Sequence, residues 1–168
     1  MKKENINKII IVTIFAIAMA FLESSIVVYL RKLFYPQGFN FPLKGFIEPS
    51  ILSIEWVREL ATIIMLITMG LLAGKKTYEK FAYFIYAFAI WDIFYYMFLK
   101  VLLGWPSSLL ILDLLFLIPW PWIGPVLAPI LCSILMIIAA LIIINLEDSG
   151  VKIRIKTREI IPIILGII

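Results

Sequence analysis

The 168 residues are 64% hydrophobic and 15% charged, with a mean hydropathy of +1.09, far more apolar surface than a soluble core of this size needs. There is no histidine and a single cysteine, Cys132, so haem ligation by histidine, histidine zinc sites, a Ser-His-Asp triad, an intrachain disulfide and CxxC redox chemistry are all excluded. The net charge of +4 sits at the ends of apolar segments, which makes it a topology signal and not a nucleic-acid surface.

Residues 1–8 are basic through Lys2, Lys3 and Lys8, and the first span is expected at about residues 9–30. Ala18, Met19 and Ala20 would also fit a signal-peptide cleavage site, but the apolar pattern resumes from Ile26 to Leu30, which favours a retained span. Val12, Ala16, Ala20, Glu23, Val27 and Leu30 share one helical face. The two alanines admit a close neighbour there, and Glu23 enters the same interior. Residues 31–53 are a connection broken by Pro36, Gly38, Pro42, Gly45 and Pro49. Its aromatics, Phe34, Tyr35, Phe39, Phe41 and Phe46, suit a loop in the headgroup zone or a lid over a site.

The second span is expected at about 54–72, stopped by Gly74. Glu55, Arg58, Glu59 and Thr62 fall on one stripe of its first two turns, and Leu66 and Met69 continue it. Arg58 between two carboxylates is a self-neutralising unit suited to low dielectric. Lys75, Lys76 and Lys80 form a basic turn, with Thr77 as the expected N-cap of the third span, about 81–103. Ile85, Phe88, Asp92, Tyr95, Tyr96 and Leu99 share a face of that span, with Lys100 on its flank. This face must point into a bundle, because a carboxylate facing lipid costs about 3 kcal/mol or more.

Gly104 to Ser108 is a break. The apolar run around Asp113 is too short to span, so a short non-spanning or re-entrant helix is expected at about 107–118, before a Pro-Trp run. The fourth span, about 126–146, carries no charge and reads as a packing helix, with Cys132 as inert packing. The tail, 147–168, is polar and basic (Lys152, Arg154, Lys156, Arg158) and turns apolar from Ile160, as an interfacial helix or the start of a further span. The fold class is therefore all-α: one polytopic membrane bundle of four full spans, a short helix and an apolar C-terminal segment.

Four spans place Lys2, Lys3, Lys8, Lys75, Lys76, Lys80 and the basic tail on one side, leaving Arg31, Lys32, Lys44 and Lys100 near the other. A fifth crossing would erase that bias. The positive-inside rule thus favours four spans in the cytoplasmic membrane with a cytoplasmic N-terminus. Glu23, Glu55, Glu59, Asp92 and Asp113 then share the non-cytoplasmic half with all five tryptophans, against Arg58 and Lys100. Such an excess of carboxylate calls for protonation or a bound cation.

The strings FLESSIVVYLR, SIEWVRELAT, FAIWDIFYYMFLKVLLGWPSSLLILDLLFLIP and PWIGPVLAP resemble an uncharacterised family of small prokaryotic integral membrane proteins. The resemblance covers most of residues 21–129 and implies the membrane fold without supplying catalytic residues. Four-helix sterol-isomerase-like proteins also gather carboxylates and tryptophans in a membrane pocket, an analogy of architecture without shared motifs.

The expected polar site comprises Glu23, Glu55, Arg58, Glu59, Asp92, Tyr95, Tyr96, Lys100 and Asp113, with no metal and no cofactor specified. Three functions fit it. One is a pocket for an amphipathic membrane ligand (lipid, quinone or isoprenoid), with Glu59 or Asp92 as the acid or base of an enzymatic version. Another is a structural or assembly subunit whose polar groups fix helix register in an oligomer or complex. The third is translocation of protons or a hard cation.

Overall fold

A computed structural model describes residues 2–36, 38–39 and 48–151. It contains α1 (Lys3–Phe34), α2 (Pro49–Ala73), α3 (Thr77–Leu103), a two-stranded antiparallel sheet of β1 (Leu112–Phe116) and β2 (Trp122–Pro125), and α4 (Leu127–Asp148). All four helices are long and apolar enough to cross a membrane. Large side chains such as Leu22, Ile64, Leu72 and Leu135 are exposed on the outer faces of the helices, where only lipid is a suitable solvent. The chain is thus a multi-pass membrane bundle.

The helices overrun their apolar cores. α1 has 32 residues, about 48 Å at the usual rise, so its terminal turns reach past a hydrocarbon layer of about 30 Å. Its last turn carries Arg31 and Lys32 as continuing helix, not as loop. α2 opens with Pro49, whose missing N–H has no intrahelical partner to lose at that position.

α3 is the hub. It packs against α1, α2 and α4, whereas α1 and α2 hardly touch each other. Ala82, Ala87 and Ala89 on α3, and Val12, Ala16 and Ala20 on α1, are almost completely buried, so small side chains bring these backbones close. Gly70 and Gly74 do the same for α2. A Cβ at Gly70 would lie 2.6 Å from the Lys80 carbonyl oxygen and 2.7 Å from Phe84 Cβ. A backbone oxygen cannot step aside. Gly70→Ala should therefore destabilise the protein by about 1–3 kcal/mol, while Thr68→Ala on the exposed side of α2 should leave the melting temperature nearly unchanged.

One end of the bundle is tied by polar contacts. Asn5 Nδ2 donates to Asp148 at 2.8 Å, the Tyr83 hydroxyl donates to Asn5 Oδ1 at 3.2 Å, and the Thr13 and Tyr86 hydroxyls lie 2.9 Å apart. Lys76 pairs with Glu147 and Lys75 with Glu4, each at 2.7 Å. The neighbouring carboxylates raise the pKa of both ammonium groups. The start of α1, the α2–α3 turn and the end of α4 therefore meet, as four alternating spans require.

Two expectations are corrected. Thr77 is the first residue of α3 and Lys76 occupies the cap position, while the Glu79 carboxylate accepts the Lys75 N–H at 2.8 Å. Glu79, at the third position of the helix, thus reaches back to the backbone before it, the half of a capping box that an N3 glutamate supplies. Residues 107–118 do not form a short helix either; β1 pairs with β2 in the register Leu112↔Pro125, Asp113↔Gly124, Leu114↔Ile123 and Phe116↔Trp122, with an irregularity between Leu114 and Phe116. An isolated helix of that length would leave its terminal N–H and C=O groups unpaired in an apolar setting. Pairing across the turn at Pro119 and Pro121 answers many of them. The Val126 and Leu127 N–H groups also donate to the Ile111 and Leu109 carbonyls at 3.0 and 2.8 Å, stitching the hairpin to the start of α4. The expected features at Phe41, Pro42, Lys44, Gly45 and Phe46, and in the tail from Lys152 onward, lie outside the described residues.

Candidate functional site

At the opposite end, α1, α2 and α3 diverge around a cavity of about 150 Å³, roofed by the hairpin. α1 supplies Glu23, Val27, Leu30 and Arg31; α2 supplies Glu55, Arg58, Glu59 and Thr62. α3 adds Trp91, Asp92, Tyr95 and Tyr96, and the hairpin adds Asp113 to Leu117. Helical periodicity explains the convergence, since each set repeats at three- and four-residue spacing.

The Arg58 guanidinium is the junction of α1 and α2. Its Nη1 donates to Glu23 Oε2, and its Nε and Nη2 donate to Glu55 Oε2 at 3.0 and 2.8 Å. The other Glu23 oxygen accepts the Thr62 hydroxyl at 2.8 Å. The expected sandwich of Arg58 between Glu55 and Glu59 is corrected: the second carboxylate comes from α1. Glu59 turns instead to the hairpin, where it accepts the backbone N–H groups of Leu117 at 2.9 Å and Ile118 at 3.0 Å. These donors immediately precede Pro119, which has none of its own.

Asp92 accepts the hydroxyl of Ser133, on α4, at 2.8 Å. The fourth span therefore contributes a polar partner that the reading of it as plain packing overlooks. Tyr95 stacks on Trp91 with ring centroids 5.9 Å apart. The Tyr96 hydroxyl donates to Asp113 at 3.1 Å, and Arg31 Nη2 donates to the other Asp113 oxygen at 3.1 Å. Burial pushes the Asp113 carboxyl above the usual carboxylate range, while Arg31 and the Tyr96 hydrogen bond pull it down.

Arg31, a topology charge by its place in the sequence, belongs to the site. It is 8% exposed, and its guanidinium carbon lies 3.7 Å from the Trp105 ring centroid and 4.1 Å from that of Phe39. Such stacking suits a planar, weakly hydrated cation. Extending the Glu23–Val27 face by one turn would have found it. Lys100 behaves in the opposite way: it is exposed and donates to the Pro106 and Gly104 carbonyls at 2.9 and 3.3 Å, fastening the chain after α3 instead of facing the cavity.

Five carboxylates and two guanidinium groups line the cavity. The carboxylates are spread over separate partners, and among the described residues no three of them gather as ligands for a metal ion. Three donors are left over. Arg31 Nη1 and Trp91 Nε1 are buried and have no hydrogen-bond partner among the described residues, an arrangement that costs about 1–3 kcal/mol per group if nothing answers it. Trp105 Nε1 is in the same condition beside Arg31.

Fold and site define a multi-pass membrane protein with a polar cavity in one half of its helix bundle. No family model, curated protein or solved structure matches the chain.

Proposed function

We propose that the cavity binds the head of an amphipathic membrane ligand: a lipid, quinone or isoprenoid. The observation that carries this reading is the wedge between α1 and α2. These helices are joined at Glu23, Arg58 and Thr62 but otherwise pack sparsely, and the cavity wall between them passes from charged (Glu23, Arg58) to apolar (Val27, Leu30, Ile51, Leu52). Pockets for such ligands are mostly apolar with a few convergent polar groups. A cavity of about 150 Å³ takes one ring-sized group, so the tail would leave through the wedge into lipid. Because Glu59 is committed to the hairpin, any acid–base step on the ligand falls to Asp92.

In this reading the chain sits in the cytoplasmic membrane with its N-terminus in the cytoplasm. Lys2, Lys3, Lys8, Lys75, Lys76 and Lys80 cluster at the tied end, and the cavity lies at the other.

Native mass spectrometry of the purified protein tests the proposal. An enriched species released at a defined stoichiometry is expected. A preparation carrying only bulk lipid would turn the choice to a structural or assembly subunit, a role favoured by the fact that each of the five carboxylates already has a hydrogen-bond partner.

A further inference from the structure

We infer that the head group held in this cavity is a primary ammonium, bound by Asp92 and Tyr95 of α3. The inference rests on the ligand-binding reading above and narrows its ligand to a membrane lipid with an amino head.

The starting point is what the cavity leaves open. Arg31 Nη1, Trp91 Nε1 and Trp105 Nε1 each have less than 1 Å² of accessible surface, so they touch no ligand and select none. Asp92 and Tyr95 differ. Both line the cavity, and they stand three residues apart on α3, where side chains are neighbours with Cβ atoms about 5–6 Å apart. Asp92 is 5% exposed, and its Oδ2 accepts the Ser133 hydroxyl, while Oδ1 has no partner among the described residues. The Tyr95 hydroxyl has none either. Neither atom is sealed in the way of the three nitrogens, so each keeps open surface. The charged groups that act on the Tyr95 hydroxyl are Asp113, Arg31, Arg58 and Asp92, and all four belong to the cavity wall. The hydroxyl thus lies among the charges that ring the cavity.

Both open atoms are oxygens with lone pairs to offer, and an ionised carboxylate can only accept. A head that only accepts, such as a quinone or an ester, would set oxygen against oxygen at Asp92. The ligand must therefore bring N–H or O–H. Charge selects between these. Five carboxylates and two guanidinium groups line the cavity, and each guanidinium is already bonded to at least one of those carboxylates. An anionic head would add to the negative excess and a neutral alcohol would leave it as it is, whereas an ammonium offsets it. Its N–H groups can donate to Asp92 Oδ1 and to the Tyr95 oxygen, and a bond between two ions is about twice as strong as a neutral one. The rings of Trp91, Tyr95 and Phe116 on the same wall also suit a cation.

The experiment is a thermal-shift titration of the 168-residue protein in phosphatidylcholine nanodiscs at pH 7 with four probes of equal chain length: decylamine, decyltrimethylammonium, decanol and decyl phosphate. Saturable stabilisation by decylamine is expected, with the other three at least about tenfold weaker. Decyltrimethylammonium keeps the charge and lacks the N–H groups; decanol keeps a donor and lacks the charge. Asp92→Asn keeps the size of the side chain and removes its charge, so it should weaken decylamine about tenfold or more and leave decanol unchanged. Tyr95→Phe should weaken decylamine about three- to tenfold. Equal or tighter binding of any of the other three probes would overturn the inference while leaving the pocket itself standing. So would an Asp92→Asn protein that binds decylamine like wild type. If the variants fail to fold, the order of the four probes on the wild-type protein still decides. Saturation by none of the four would remove both the inference and the ligand-binding reading.

Discussion

Arg58→Ala should destabilise the detergent-solubilised protein by about 3–5 kcal/mol, whereas Lys32→Ala, at an exposed position on α1, should stay within about 0.5 kcal/mol of wild type. The reason is the company Arg58 keeps. It joins Glu23 of α1 to Glu55 of its own helix, and the Glu23 and Glu55 side chains are only 6% and 13% exposed. Alanine leaves two carboxylates in a poorly solvated wedge without their cation. Arg58→Lys should restore part of the loss, because one ammonium can serve as a charge but cannot fork to both acids. Thermal unfolding of the three variants settles the matter; equal melting temperatures for Arg58→Ala and Lys32→Ala would show the guanidinium to be solvated and the junction to be unimportant.

Glu59→Gln should unlatch the hairpin. The carboxylate accepts from two consecutive backbone N–H groups, those of Leu117 and Ile118. An amide retains one acceptor oxygen and turns an NH₂ group toward the second donor, so at least one buried N–H loses its partner. Hydrogen bonds to a charged acceptor contribute about 1.5–3 kcal/mol, so a loss of about 2–3 kcal/mol is expected. The sharper readout is local: amide exchange at Leu117 and Ile118 should accelerate more than in α3. Glu55→Gln serves as the comparison, since Glu55 bonds to Arg58 and not to the hairpin. Wild-type protection at Leu117 and Ile118 in the Glu59→Gln protein would refute the latch.

Much of the architecture is written in the sequence at low resolution. Four apolar runs of bilayer length define four spans, because no other structure satisfies that much backbone in hydrocarbon. The buried faces follow from spacing: Glu23 aligns with Ala16 and Ala20, Thr62 with Leu66, and Asp92 with Leu99, and the structure buries all of them. What spacing does not encode is the partner. Glu59 lies on the expected stripe, but its partners are main-chain N–H groups 58 and 59 residues away, and every residue has such a group. Ser133 is a lone hydroxyl in an apolar helix, and nothing local marks it as the partner of Asp92. The hairpin is not legible in the sequence for a related reason. Residues 109–118 are rich in leucine and poor in β-branched side chains, so propensity points to helix, and the strand arises from pairing with residues beyond the Pro-Trp run. A cation at the end of an apolar run, such as Arg31, usually marks orientation; here the helix simply continues through it and carries it into the site.

The sparse packing between α1 and α2 also bears on how the protein is made. Spans leave the ribosome in chain order, so α1 and α2 can reside in the bilayer before α3, their common packing partner, has been synthesised. At that stage no continuous apolar interface holds them together. Glu23 alone in hydrocarbon and Arg58 alone in hydrocarbon each carry a cost of about 3 kcal/mol. Joining the two removes most of it, and Thr62 adds a hydrogen bond to the same carboxylate. The ion pair that closes one wall of the cavity in the finished protein would then also hold the first two spans side by side until the alanine-rich face of α3 is there to pack against them.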